Sequence, residues 1–138
     1  MVAWTGKHFS RKLERCLVTS FEELSELSFE IIAAVGTARS DYIEAIQEAK
    51  AGHFDEAHRL VDAGAEEYLK GHHAHLNLIQ QEAAGERTDM CLLLTHAEDQ
   101  LMSAEGFGIL ADEFIDLYER LSKDEKSQQG EMIEERTA

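Results

Sequence analysis

Proline is absent from this 138-residue chain and cysteine occurs only twice. With no proline to break it, and with Ala, Leu, Glu and Gln abundant, the backbone is expected to be helical almost throughout, so the fold class is all-α. Cys16 and Cys91 form neither a CxxC pair nor a Cys/His ligand pattern, and no secretory apolar stretch precedes them. A disulfide scaffold is thereby excluded, and a cytoplasmic protein with reduced thiols is expected. Cys91 is followed by three leucines and is expected to pack as a small hydrophobe. Long apolar runs are also missing: none approaches the roughly 20 residues of a membrane span, so no membrane insertion is expected. Positive charge is scarce. Lys and Arg number 13 against 28 Asp and Glu, and the net charge of -15 would repel a phosphate backbone, which argues against nucleic-acid binding. The 43% of apolar residues can fill one compact core, not two ordinary domains.

What is present divides into three parts. Residues 1–19 carry Trp4, Lys7, His8, Phe9, Arg11, Lys12 and Arg15, a basic extension ahead of an acidic body, with amphipathic spacing over 9–17. Residues 20–122 hold the helical domain. Residues 123–138 are polar and charged with little periodicity, which predicts a frayed tail. Within the domain, Ser20 and Glu23 form an S-x-x-E capping box, and apolar residues at three- and four-residue steps predict a helix over 21–51 that Gly52 ends. Asp55 is the expected cap of a second helix over 55–84, stopped by Gly85, and Thr88 or Asp89 of a third. The third helix is expected to use Met90, Leu94, Ala97, Leu101, Ala104, Ile109, Ala111, Phe114, Tyr118 and Leu121 for its core. The pair Gly106 and Gly108 is expected to weaken it locally. Links this short make neighbours antiparallel, so the expected architecture is an up-down-up three-helix bundle.

The residues able to carry chemistry fall in two groups. His96, Asp99 and Gln100 stand at i, i+3 and i+4, on one side of the third helix, and Asp99 cannot be buried without a cation, a metal or water beside it. His72, His73 and His75 cluster on the second helix, but their spacing is not the HExxH of a helical zinc pair, and packing or solvent contact explains them more simply. Phosphate-binding glycine loops and G-x-S-x-G elbows are absent. A carrier, an adaptor or a histidine-rich metal-binding bundle remain.

Four segments together resemble the lactose/cellobiose-type enzyme IIA family of the sugar phosphotransferase system: G-T-A-R-S at 36–40, A-G-H-F-D-E-A at 51–57, L-I-Q-Q-E-A at 78–83, and L-L-L-T-H-A-E-D-Q-L-M at 92–102. The last is the most specific, since the family's usual form is H-A-Q-D-H-L-M. The resemblance implies that His96 receives phosphate from the phosphocarrier protein HPr and gives it to the cysteine of a IIB component during disaccharide uptake. It also implies a homotrimer with Asp99 near the threefold axis, where Mg²⁺ can offset three converging carboxylates. His72 matches the histidine of the family's A-H-x-x-Q-T segment.

Three departures lie near the expected chemistry. Gln100 replaces the family's second histidine, Glu98 its glutamine, and His75 with Leu76 its Gln-Thr pair. Glu98 is expected to oppose an incoming phosphate unless it points away, and His75 to compensate from the second helix. These departures support an alternative from another class, a degenerate paralogue acting as a non-catalytic adaptor.

Overall fold

The computed structural model describes residues 20–137, so the basic stretch 1–19, with Cys16 and His8, lies outside the described residues. Three helices follow one another, α1 (Phe21–Ala51), α2 (Phe54–Ala83) and α3 (Leu92–Thr137), with no strand among the described residues. The first cap is the expected one. The Glu23 amide donates to Ser20 Oγ at 3.2 Å and the Ser20 amide to Glu23 Oε2 at 2.7 Å, and the Ser20 amide first, with its hydroxyl second, holds the Glu23 carboxyl below its ordinary value. Gly52 closes α1 at φ 87°, and Gly85, beyond the end of α2, takes φ 90°, two left-handed positions that favour glycine.

The other two caps differ from expectation. His53, not Asp55, stands at the start of α2 and makes no side-chain cap bond, while Asp55 lies in the first turn, where its charge complements the helix dipole. The third helix starts at Leu92, and the residue before it is Cys91 rather than Thr88 or Asp89. The Cys91 carbonyl accepts from the Thr95 amide at 3.0 Å and its Sγ from the Leu94 amide at 3.5 Å. The same half-buried thiol packs against Leu24, Leu78 and Leu94, so it serves as both cap and hydrophobe.

Buried positions on α1 recur at alternating steps of four and three: Leu24, Ser28, Ile31, Val35, Ala38, Tyr42, Ala45 and Ala49. A mean period of 3.5 residues is that of a left-handed supercoiled bundle. Ser28, the polar member, donates to the Leu24 carbonyl at 2.7 Å and so leaves no buried group unpaired. Leu24, Leu78 and Leu94 meet at one end of the bundle and Ala49, Ala57 and Ile115 at the other, which sets α1 and α3 parallel and α2 against both.

On α3 the seam runs Leu94, Ala97, Leu101, Ala104, Ala111 and Ile115. Met90, Ile109, Phe114 and Leu121, expected inside, are exposed, and Ile115 takes the core place instead. The seam keeps its alternating steps of three and four by passing through Gly108. A Cβ there would stand 3.1 Å from Cζ of Tyr42, and one at Gly64 would stand 2.7 Å from its Cε1. Two glycines thus open the space that a tyrosine ring fills, and Gly108 occupies a seam position rather than a defect. Burial raises the Tyr42 pKa, with Tyr68, Asp112 and Asp41 adding to it.

A differential prediction follows for the glycines. In Gly64→Ala the new methyl meets Tyr42 and, at 3.1 Å, the Ala38 carbonyl oxygen; overpacking of about 1–3 kcal/mol outweighs a helix-propensity gain of about 1 kcal/mol. Gly36→Ala meets nothing within 4 Å and keeps the gain. Urea unfolding should show the first variant less stable and the second more stable than the parent. Equal shifts would contradict the packing described.

The tail also differs from expectation. Position 122 is no boundary in the secondary structure, because α3 continues to Thr137. No proline follows to stop it, and Lys123 pairs with Glu119 at 3.2 Å across one turn, in the orientation that supports a helix.

Candidate functional site

His96 sits in the second turn of α3, at the bundle end where Leu24, Leu78 and Leu94 meet. Both His96 and Asp99 are exposed, whereas Gln100 is half-buried. The seam residues Leu94, Ala97 and Leu101 turn the opposite side of the helix inward, and this places His96 and Asp99 on its outer surface. Among the described histidines, His96 alone makes no hydrogen bond, ion pair or ring contact. His53 bonds to Glu48 at 2.6 Å, His58 to Glu119 at 3.1 Å and His75 to Glu98 at 3.2 Å, while His72 stacks on Tyr68 with centroids 5.8 Å apart and lies 6.4 Å from His73.

Successive helical residues are about 100° apart, so Glu98 points about 200° round from His96. It lies on the flank of α3 that faces α2, where His75 Nε2 takes its carboxylate. Glu98 therefore points away from His96, and His75 meets Glu98 rather than His96. The two replacements satisfy each other instead. His72 belongs to a half-buried stack with Tyr68, whose pKa burial raises first and Glu105 second.

Gln100 turns to the other flank, toward α1. Its Oε1 accepts from Arg39 Nη1 at 3.1 Å, a contact between residues far apart in sequence. Arg39, in the G-T-A-R-S segment, is the residue that reading the sequence leaves out of the site. It shares the acidic first helix with one other cation, Lys50, and its partner is not legible locally.

His96 and Asp99 lie in a stripe that continues down the outer face of α3 through Leu110, Phe114, Leu117 and Leu121, with Leu92 above them, at three- or four-residue steps except for the three turns, eleven residues, from Asp99 to Leu110. Leu92 is 87% exposed and Leu110 51%. This is a second amphipathic face, opposite the first, with no covering in the single chain. No three His, Cys, Asp or Glu side chains converge as a metal site among the described residues. Within one chain Asp99 is a lone carboxylate.

An antiparallel three-helix bundle bearing one unpartnered histidine on its last helix defines an all-α histidine-bearing domain. The family described as the PTS system lactose/cellobiose-specific IIA subunit matches residues 26–119. The chain is 44% identical over 102 residues to the lichenan-specific phosphotransferase enzyme IIA component of Bacillus subtilis strain 168, covering 74% of this chain and 93% of that relative. It is 37% identical over 99 residues to the lactose-specific EIIA component of Streptococcus mutans UA159, covering 72% and 95%. The crystal structure of the PTS cellobiose-specific enzyme IIA from Bacillus anthracis superposes with a TM-score of 0.71 at 40% identity, over 77% of this chain and 95% of that one. The chain belongs to the lactose/cellobiose-specific IIA family of the phosphotransferase system. No helix among its described residues is long and apolar enough to cross a membrane.

Proposed function

We propose that the chain is a phosphoryl carrier that accepts phosphate from HPr on His96 and passes it to a cysteine of a IIB component. The observation that carries this reading is the freedom of His96: the residue is exposed and its ring has no hydrogen-bond, ion-pair or ring partner, while the other described histidines are engaged. The lone pair of its unprotonated nitrogen attacks phosphorus as the P–N bond of the donor histidine breaks and its electron pair returns to the donor ring. Each ring keeps the hydrogen on its other nitrogen, so the step moves no net proton. The IIB thiolate then attacks the same phosphorus and His96 leaves as neutral imidazole. Little is needed beyond alignment of nucleophile, phosphorus and leaving group, which an exposed ring on a rigid helix provides to either partner.

The working unit in this proposal is a homotrimer. The stripe containing His96, Asp99, Leu110, Phe114, Leu117 and Leu121 is the face to be covered, and three copies about an axis would bring three Asp99 carboxylates together. Carboxylate oxygens suit Mg²⁺, which would offset their repulsion, and the single exposed Asp99 per chain fits a site completed only by symmetry. The adaptor alternative leans on Glu98 and Gln100. Glu98 is engaged with His75 away from His96, and Gln100 still offers an N–H donor where the family has a histidine. The sugar is not selected here: relatives named for lichenan, oligo-β-mannoside and lactose share this frame, so selectivity belongs to other components.

With enzyme I, HPr and labelled phosphoenolpyruvate, the chain should take up label and surrender it when a cognate IIB component is added. Label that stays on the chain in the presence of IIB, or IIB binding without any transfer, would establish the adaptor instead.

A further inference from the structure

We infer that Arg39 is the cation that holds the phosphoryl group on His96, with Gln100 as the bridge that aims both. This rests on His96 being the phosphoryl acceptor. Arg39 is half-buried between α1 and α3, in a chain with a net charge of -15, yet its contact is the neutral amide oxygen of Gln100 at 3.1 Å. Three exposed cations of the bundle do pair with carboxylates, Arg59 with Glu56, Lys70 with Glu67 and Lys123 with Glu119. A guanidinium withdrawn from water without a carboxylate is a site for an anion that arrives later.

The geometry supplies the anion's place. Gln100 lies one turn after His96, about 6 Å along the helix, and toward the α1 side of it. Because Gln100 Oε1 accepts from Arg39, its amide nitrogen is left as a donor, and the guanidinium keeps four of its five N–H groups beyond the one given to Gln100. Donors from both side chains therefore lie on the α1 side of His96, the side to which a phosphoryl on its ring can turn. Glu98, the nearest carboxylate in sequence besides Asp99, is held on the opposite flank by His75. Phosphorylation adds about two negative charges to an acidic surface, and Arg39 is the group on the facing helix able to offset them with charge-assisted bonds.

Such a role acts on the phosphorylated state alone, so the phosphoryl-exchange equilibrium with phospho-HPr reads it, whereas a structural role would change only folding. Wild type, Arg39→Lys, Arg39→Met and Gln100→Glu are each equilibrated with phospho-HPr and the phosphorylated fraction is measured by intact mass. Arg39→Met should shift the equilibrium about tenfold toward phospho-HPr, Arg39→Lys should recover most of the loss, and Gln100→Glu, which gives the guanidinium a carboxylate, should shift it as Arg39→Met does. Should Arg39→Met not fold, Gln100→Glu retains the interhelical contact and decides alone. An unchanged equilibrium in a folded Arg39→Met or in Gln100→Glu would overturn the inference. Wild type that takes no phosphate on His96 would overturn the carrier proposal instead, so the two failures are distinct.

Discussion

His96→Ala should take up no phosphate from phospho-HPr, a loss of at least about 10⁴-fold in transfer rate, while the bundle stays folded. The size of the loss follows from chemistry: transfer makes a bond to the imidazole nitrogen, and alanine offers no nucleophile in its place. Retention of the fold follows from position. His96 is exposed and makes no contact, so its removal should change stability by no more than about 0.5 kcal/mol. Labelling kinetics and circular dichroism on the same preparation check both halves. Labelling that persists would place the acceptor elsewhere, and unfolding would mean that His96 supports the bundle.

The second large effect concerns assembly. Leu110→Glu should reduce the proposed trimer to monomers at micromolar concentration, because in that assembly each of three copies would bury a carboxylate in place of a leucine. Losing the leucine forfeits about 1.5–3 kcal/mol of apolar burial, and an unpaired buried charge costs more. The monomer should still fold, since Leu110 is 51% exposed in the single chain and contributes nothing to the inner seam. Asp99→Leu should do the reverse: on the same proposal, the trimer would persist and be indifferent to chelation of Mg²⁺, because the carboxylates proposed to converge on its axis are gone. Sedimentation of wild type and both variants, with and without chelator, measures this. A wild type that is monomeric with Mg²⁺ present, or a Leu110→Glu trimer, would show that the outer stripe of α3 does not pair copies.

How much of this was legible in the sequence depends on how far apart the interacting residues lie. The Ser20–Glu23 box and the Gly52 turn involve neighbours, and their local chemistry determines them. The antiparallel bundle follows from short links between long periodic segments. The seam of α3 is readable as far as Ala104, and beyond it the sequence misleads, because Gly108 looks like a breaker until Tyr42, from another helix, fills the space beside it. The direction of Glu98 can be deduced from helical geometry, but His75 as its partner cannot, since that requires the packing of α2 on α3. Arg39 and Gln100 pose the same difficulty across α1 and α3. Asp55 and Thr88 have capping chemistry in the wrong places, because the chain reversals before α2 and α3 put His53 and Cys91 at the helix starts.

The central claim is that His96 is where phosphate rests, and locating the phosphoryl group on the wild-type chain tests it most directly. After equilibration with phospho-HPr, peptide mapping under alkaline conditions should find one phosphoryl group per chain, on a ring nitrogen of His96, labile to acid and lost on addition of IIB. Phosphate on any of the six other histidines, His8, His53, His58, His72, His73 or His75, or a wild-type chain that a cognate phospho-HPr leaves unmodified, would contradict it.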